Sequence, residues 1–372
     1  MLKVGFVGWR GMVGSVLLER MIQCGDFTKI TPYFFSTSNF GGTGPDVGLK
    51  VQKLLDAYDL SQLSKMDCIV TTHGSDYTSS VLPKLRQINW NGFWLDASSC
   101  LRMDKDSIIV LDPINHQQII NGLASGVKQY IGGNCTVSLM LLAIDGLLQH
   151  DLVEWVSTMT YQAVSGAGAN NMRELLEQNQ ALSDNLDKDL HNPSKSILDI
   201  DRKVMQTLLD DAFPTTNFKA PIIGNILPWI DVGLDNGQTK EEWKSSVEAN
   251  KILGFQSERI LIDGLCVRVG AMRSHSQALT IKLRQNIKLE DIQRMIIEGN
   301  QWVKFIDNNK EDTLKYLSPA AVSGSLDIAV GRLRKLKFGE EFITLFTVGD
   351  QLLWGAAEPI RRTLNIMVEQ HA

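Results

Sequence analysis

Short apolar runs alternate with helical periodicity through the first third of the chain. Residues 3–7 read as a buried strand, and Val16, Leu17, Met21 and Ile22 behind them recur at helical spacing. Further strand patterns cover 30–35, 68–72, 93–95 and 108–111, with a helix from about Tyr77. That alternation predicts a mostly parallel sheet covered by helices on both faces. The longest apolar run, 137–148, follows Gly132-Gly133-Asn134-Cys135-Thr136 and predicts a buried helix with Cys135 in its first turn.

The second half changes character. Residues 153–161 alternate like a strand ending at Gln162, before the small-residue loop Ser165-Gly166-Ala167-Gly168-Ala169. Residues 172–182 predict a helix, and 191–225, with Pro193, Pro214 and Pro221, read as irregular. Glu241 and Lys244 share a helix after Asn236-Gly237, where a plain surface ion pair is one reading. Residues 265–269 and 277–283 predict antiparallel strands around Gly270-Ala271-Met272-Arg273-Ser274-His275. Arg332 to Lys337 alternates with apolar positions as one strand face. Leu353, Ala357, Ile360, Leu364 and Met367 line a final helix expected to return to the first domain.

Composition narrows the class. The 372 residues, 44% hydrophobic and 21% charged, suffice for two globular domains. A net charge of −5 argues against a nucleic-acid partner, which favours a basic excess. Five cysteines without a CxxC pair suggest neither a disulfide framework nor a metal site. The start Met1-Leu2-Lys3-Val4-Gly5 enters a strand at once, and Asp145 interrupts the longest apolar run. The expectation is a cytoplasmic protein with no membrane partner.

Two features carry chemistry. Gly8-Trp9-Arg10-Gly11-Met12-Val13-Gly14 lies between a strand and a helix, the setting in which a glycine loop cradles a dinucleotide pyrophosphate. The next strand ends in Ser36-Thr37-Ser38 without the carboxylate that would hold a ribose diol. With Arg10 nearby, those hydroxyls favour NADP, unless they merely begin a polar loop. The other feature is Cys135, whose place at a helix start predicts a depressed thiol pKa and a nucleophile at neutral pH. Cys68 and Cys266 lie in strand patterns and read as packing. Of six histidines, His275 alone sits in the second half beside a glycine-containing turn, and it is the candidate acid/base. Arg102 follows a strand end, as an anion ligand or a solvated surface charge.

Together, the glycine loop, Gly132-Gly133-Asn134-Cys135-Thr136, His275-Ser276-Gln277 and Gly349-Asp350-Gln351-Leu352-Leu353-Trp354-Gly355-Ala356-Ala357-Glu358-Pro359 resemble the aspartate-semialdehyde dehydrogenases of Gram-negative bacteria. The resemblance covers essentially the whole chain. It implies an α/β fold: a Rossmann-type NADP-binding domain, 1–133 completed by 355–372, and an α+β catalytic and dimerisation domain with a mixed sheet, 134–354. It implies NADPH-dependent reductive dephosphorylation of L-aspartyl 4-phosphate through a thioester on Cys135. That step serves lysine, diaminopimelate, threonine, methionine and isoleucine synthesis.

The resemblance also implies a homodimer, with His275 as acid/base. Gln162, Glu241 and Arg268 would bind substrate, and Arg102, Lys244 and Asn134 phosphate. Arg10, Gly11, Met12, Val13, Thr37, Ser38, His73, Ser165, Gly166, Pro193 and Gln351 would line the cofactor site. The chain departs from the family pattern at His73, where Gln is usual, at Cys100, where Ser is usual, and at Ala167, Asn170 and Asn171. Another acyl-phosphate reductase, such as N-acetyl-glutamyl-phosphate reductase, and a non-catalytic NADPH-binding regulator are the alternatives.

Overall fold

Two seven-stranded sheets organise the chain in the computed structural model, which describes residues 1–371. The first contains Leu2–Val7 (β1), Ile30–Ser36 (β2), Leu55–Asp56 (β3), Cys68–Thr71 (β4), Phe93–Asp96 (β5), Ser107–Val110 (β6) and Gln129–Gly132 (β7). Its order is β3-β2-β1-β4-β5-β7-β6, and every neighbouring pair is parallel. All four residues of β4, β5 and β6 are buried, as expected of strands covered on both faces. The chain leaves β1 towards β2 and returns on its other side as β4. The crevice at that reversal is where such sheets take ligands, and Gly8 and His73 stand at its edge.

The second sheet contains Val153–Gln162 (β8), Ile226–Leu227 (β9), Leu261–Val269 (β10), Ser274–Leu283 (β11), Val303–Phe305 (β12), Ile328–Leu336 (β13) and Gly339–Asp350 (β14). It is mixed, with order β12-β13-β14-β11-β8-β10-β9. The helices Cys135–Gln149, Lys240–Ile252 and Leu289–Gly299 cover one face through Leu139, Leu142, Ile252 and Ile296. On β8 and β10, Met159, Tyr161, Leu261 and Leu265 remain exposed.

The last helix, Glu358–Gln370, returns to the first sheet and packs Ile360, Leu364 and Met367 beside Val4, Phe6 and Leu17. Just before it, Leu353–Ala357 forms a π-helical turn whose Trp354 joins the other core. Such widened turns recur at functional sites.

Two expectations need correction. β10 and β11 are not paired with each other, because β8 lies between them, parallel to β10 and antiparallel to β11. The connecting residues 270–273 therefore cross two strand spacings, about 10 Å. Within the segment read as irregular, Ile197–Leu208 is a helix started by a reciprocal cap between Ser196 and Asp199. Aspartate in place of the usual Glu or Gln had hidden that cap. Among the described residues no helix is long and apolar enough to cross a membrane.

Candidate active site

The glycine loop is shaped by close approach. Gly8 has φ 78°, and a Cβ there would stand 2.6 Å from the His73 backbone nitrogen across the β1/β4 crevice. Gly11 caps the helix Met12–Gln23 with no side chain on its first amides, leaving Met12 and Val13 N–H groups for an anion. A cleft of about 380 Å³ opens there, lined by Gly8, Arg10, Gly11, Thr37, Ser38 and His73 among others, none acidic. The Ser36 hydroxyl accepts the Ser38 and Asn39 N–H groups and so forms the turn. Arg10 Nη2 donates to Ser38 Oγ at 3.3 Å. The hydroxyl run thus closes on a guanidinium beside a glycine cradle. That donor set fits a nicotinamide dinucleotide carrying a 2′-phosphate. Pro193 lies exposed between the helices Ala169–Leu190 and Ile197–Leu208 and is not among the residues lining this cleft.

Cys135 stands at the helix start that the sequence indicated. Asn134 caps the helix Cys135–Gln149, its side-chain oxygen accepting Thr136 N at 2.9 Å and Val137 N at 3.2 Å. The thiol, however, is not depressed. Burial, then the Glu241 carboxylate, push its pKa up to about 12 against Arg102, Arg268 and the Thr136 amide. Asn134 shares the Thr136 amide with the thiol, so the helix start contributes less than expected. Gly355 of the π-turn presses on the same residue: a Cβ there would sit 2.7 Å from Cys135 Cβ and 3.5 Å from Gln351 Cγ.

Around Cys135 the ends of three strands converge. Gln162 and Arg268 are register partners on β8 and β10, and His275 is the second residue of β11. Arg268 Nη1 donates to Ala163 O at 2.7 Å, while Ala163 N donates to His275 Nδ1 at 2.9 Å. His275 Nε2 is buried without a partner. Burial, then the nearby Arg268, hold the imidazole well below its ordinary pKa, so it is neutral. A Cβ on Gly166 would meet Arg268 Nη1 at 2.9 Å and His275 Nε2 at 3.2 Å, which explains a glycine there. Ser165 Oγ lies 2.8 Å from the Gln351 side-chain amide and 3.0 Å from Arg273 O, tying this loop to the π-turn.

The helix Lys240–Ile252 supplies the opposite wall. Its start is a reciprocal Thr239/Glu242 cap, which turns Glu241, Lys244 and Glu248 inward on one face. The surface ion pair is therefore excluded, since Glu241 is 6% exposed and Lys244 8%. Glu241 Oε1 accepts Asn134 Nδ2 at 3.0 Å and Gln162 Nε2 at 3.2 Å, and Oε2 accepts Lys244 Nζ at 3.0 Å. Burial opposes the Glu241 charge, but Lys244 and these hydrogen bonds lower its pKa overall. Asp231 holds Lys244 from the other side at 2.7 Å. Arg102 is not a solvated charge either: it is buried, with Nε donating to Gly132 O at 2.7 Å and Nη1 to Glu248 at 3.1 Å. Cys100 is exposed, its sulfur 3.6 Å from Ser98 Oγ.

Sequence reasoning missed Glu248, Asp231, the Ala163 backbone and the contact between Gly355 and Cys135. Only Glu248 had a signal, being seven residues, two helical turns, beyond Glu241.

A half-buried thiol at a helix start, a neutral imidazole and a phosphate-cradling glycine loop define a nicotinamide-dependent oxidoreductase class. Residues 3–122 match the family model for the semialdehyde dehydrogenase NAD binding domain, and residues 144–354 that for the semialdehyde dehydrogenase dimerisation domain. Among solved structures, an aspartate semialdehyde dehydrogenase from Francisella tularensis is 54% identical, covering 99% of this chain and 100% of its own, with TM-score 0.93. The chain belongs to the semialdehyde dehydrogenase family and, within it, to the aspartate-semialdehyde dehydrogenases. Two more distant structures share the fold. Aspartate semialdehyde dehydrogenase II from Vibrio cholerae, complexed with ASA, is 22% identical with TM-score 0.79, covering 100% and 99% of the two chains. The Candida albicans aspartate semialdehyde dehydrogenase with NADP is 14% identical with TM-score 0.66, covering 100% of both.

Proposed function

We propose that this chain reduces L-aspartyl 4-phosphate to L-aspartate 4-semialdehyde with NADPH and releases phosphate, through a thioester on Cys135. The observation that carries it is one cluster: a half-buried thiol flanked by a buried guanidinium, a buried carboxylate and two buried phosphate-competent cations. Arg268 presents a planar fork suited to the substrate α-carboxylate, and Glu241 takes the ammonium. An N-acetylated substrate would bring no cation to Glu241, which disfavours that alternative. A regulator would have no use for the cluster around Cys135.

Glu241 also links substrate binding to the thiol. In the free site its charge raises the Cys135 pKa and is compensated by Lys244. A substrate ammonium takes over that compensation, freeing Lys244 to join Arg102 at the phosphate and lowering the barrier to thiolate formation. The thiol proton passes to the departing phosphate, the sulfur attacks the acyl carbon, and the carbon–oxygen bond to phosphate breaks. His275 Nε2–H donates to the oxygen that gains charge. NADPH would be held by Arg10 to Val13, Thr37 and Ser38 and would supply a hydride to the thioester carbon, from which the Cys135 thiolate would leave to give the aldehyde. Gly166 borders His275; Ser165, Gly166, Gln351, His73 and Pro193 are assigned to the cofactor on the family pattern.

In the same reading the cofactor domain is 1–133 with 355–372, and the exposed face of β8 and β10 pairs two copies. The enzyme serves lysine, diaminopimelate, threonine, methionine and isoleucine synthesis in the cytoplasm. The test is NADPH formation from aspartate semialdehyde and NADP, dependent on inorganic phosphate. Repeated turnover without a phosphate requirement overturns the reading.

A further inference from the structure

We infer that Glu248 is a positioning residue for the phosphate half of the reaction, holding Arg102 and the start of the Cys135 helix with one carboxylate. The inference rests on the function proposed above. Glu248 is 2% exposed and divides its oxygens between two donors. Oε1 accepts Arg102 Nη1 at 3.1 Å, and Oε2 accepts the backbone N–H of Asn134 at 2.7 Å. Asn134 immediately precedes the nucleophile, and Arg102 comes from the loop after β5 on the other sheet. One side chain therefore sets the distance between the phosphate ligand and the reacting sulfur.

The remaining contacts of Arg102 agree with this role. Its Nε is committed to Gly132 O at 2.7 Å, within the turn that leads to Cys135. Among the described residues nothing accepts from Nη2, which leaves that arm for a phosphate oxygen. One turn beyond Glu248, Lys251 Nζ donates to the carbonyls of Arg102 and Asp104, each at 2.6 Å. The same helix thus fixes the loop by its backbone and the guanidinium by its charge. Glu248 also compensates Arg102, so that a phosphate group meets a partly neutralised cation and can leave after the acyl transfer.

Carboxylate chemistry is needed because both partners are donors. A glutamine at this place has one acceptor oxygen, and its amide N–H groups would face whichever donor that oxygen does not take. Glu248→Gln is therefore expected to raise the phosphate KM at least tenfold, with the KM values for aspartate semialdehyde and NADP changed less than about threefold. The decisive comparison is a double-mutant cycle on the full-length enzyme, with inorganic phosphate as the varied substrate. If Glu248 acts through Arg102, the rise in phosphate KM caused by Glu248→Gln shrinks to under threefold in an Arg102→Lys background.

Additive effects in that cycle, an unchanged phosphate KM, or an equal rise in all three KM values would overturn the inference. Should Glu248→Gln fail to fold, Glu248→Asp keeps the charge one methylene short, and the same selective, non-additive phosphate defect is expected. A wild-type enzyme that needs no phosphate overturns the functional reading, and this inference with it.

Discussion

Ala163 donates its backbone N–H to Nδ1 of His275 across 2.9 Å, and this bond determines which nitrogen meets the reaction. A backbone N–H only donates, so Nδ1 holds the lone pair and Nε2 carries the proton. In the free site His275 is thus a hydrogen-bond donor. Accepting the thiol proton at Nε2 would require its own proton to move to Nδ1, with loss of the Ala163 bond.

The pH dependence follows from that environment. Burial and Arg268 lower the His275 pKa well below 6.5, so the ring stays neutral as pH falls from 8 to 6.5. The profile of kcat/KM is expected to show no limb with midpoint near 6.5. His275→Asn is expected to cost about 10²–10⁴-fold in kcat. A limb at 6.5 that disappears in His275→Asn would show a histidine that does charge in that range.

Gly355 limits the position of the nucleophile. A methyl group at that position would be 2.7 Å from Cys135 Cβ, so one of the two backbones has to move. A displacement of about 1 Å at the reacting atom costs on the order of 10²-fold in rate. Gly355→Ala should therefore lose about that much kcat while NADP binding, by fluorescence titration, stays near wild type. Unchanged kcat would remove the π-turn from the account of the thiol.

The proposed preference for NADP rests on Arg10, Thr37 and Ser38, which line the cleft beside the glycine loop. A charge-assisted hydrogen bond is worth about 1.5–3 kcal/mol, so Arg10→Ala should weaken NADP roughly ten- to hundredfold and NAD little. Thr37→Asp should weaken NADP by placing a negative charge against the 2′-phosphate. Titration of both cofactors checks this; wild type binding NAD more tightly than NADP is the contrary result.

Leu265 and Met159 are register partners on β10 and β8 and both stay exposed, 43% and 40%. With Leu261 and Tyr161 they form an apolar face suited to a second copy. Replacing both Met159 and Leu265 by aspartate should convert a dimer to monomers in sedimentation equilibrium. A variant that remains dimeric would locate the interface elsewhere.

The parts legible in sequence were those set by local rules. A glycine loop between strand and helix, and a cysteine behind Gly-Gly-Asn, announce themselves over a few residues, and both stand where expected. The high Cys135 pKa was not legible, because it depends on Glu241, more than a hundred residues away, and on burial. The placing of β8 between β10 and β11 was equally hidden, since strand order is a long-range property. It is also what brings Gln162 between Arg268 and His275. From their own stretches of sequence Arg102 and the Glu241/Lys244 pair could equally be surface charges, because the partners that enclose them come from other elements.

The thioester itself is the claim to test most directly. Aspartate semialdehyde and NADP, mixed with the enzyme without phosphate and quenched in acid, should leave one aspartyl group on Cys135, mapped by mass spectrometry. NADPH should appear in equal amount, and Cys135→Ser should give neither. Phosphate added before the quench should discharge the adduct. Formation of NADPH with no adduct on Cys135, or an active Cys135→Ser enzyme, would contradict the mechanism.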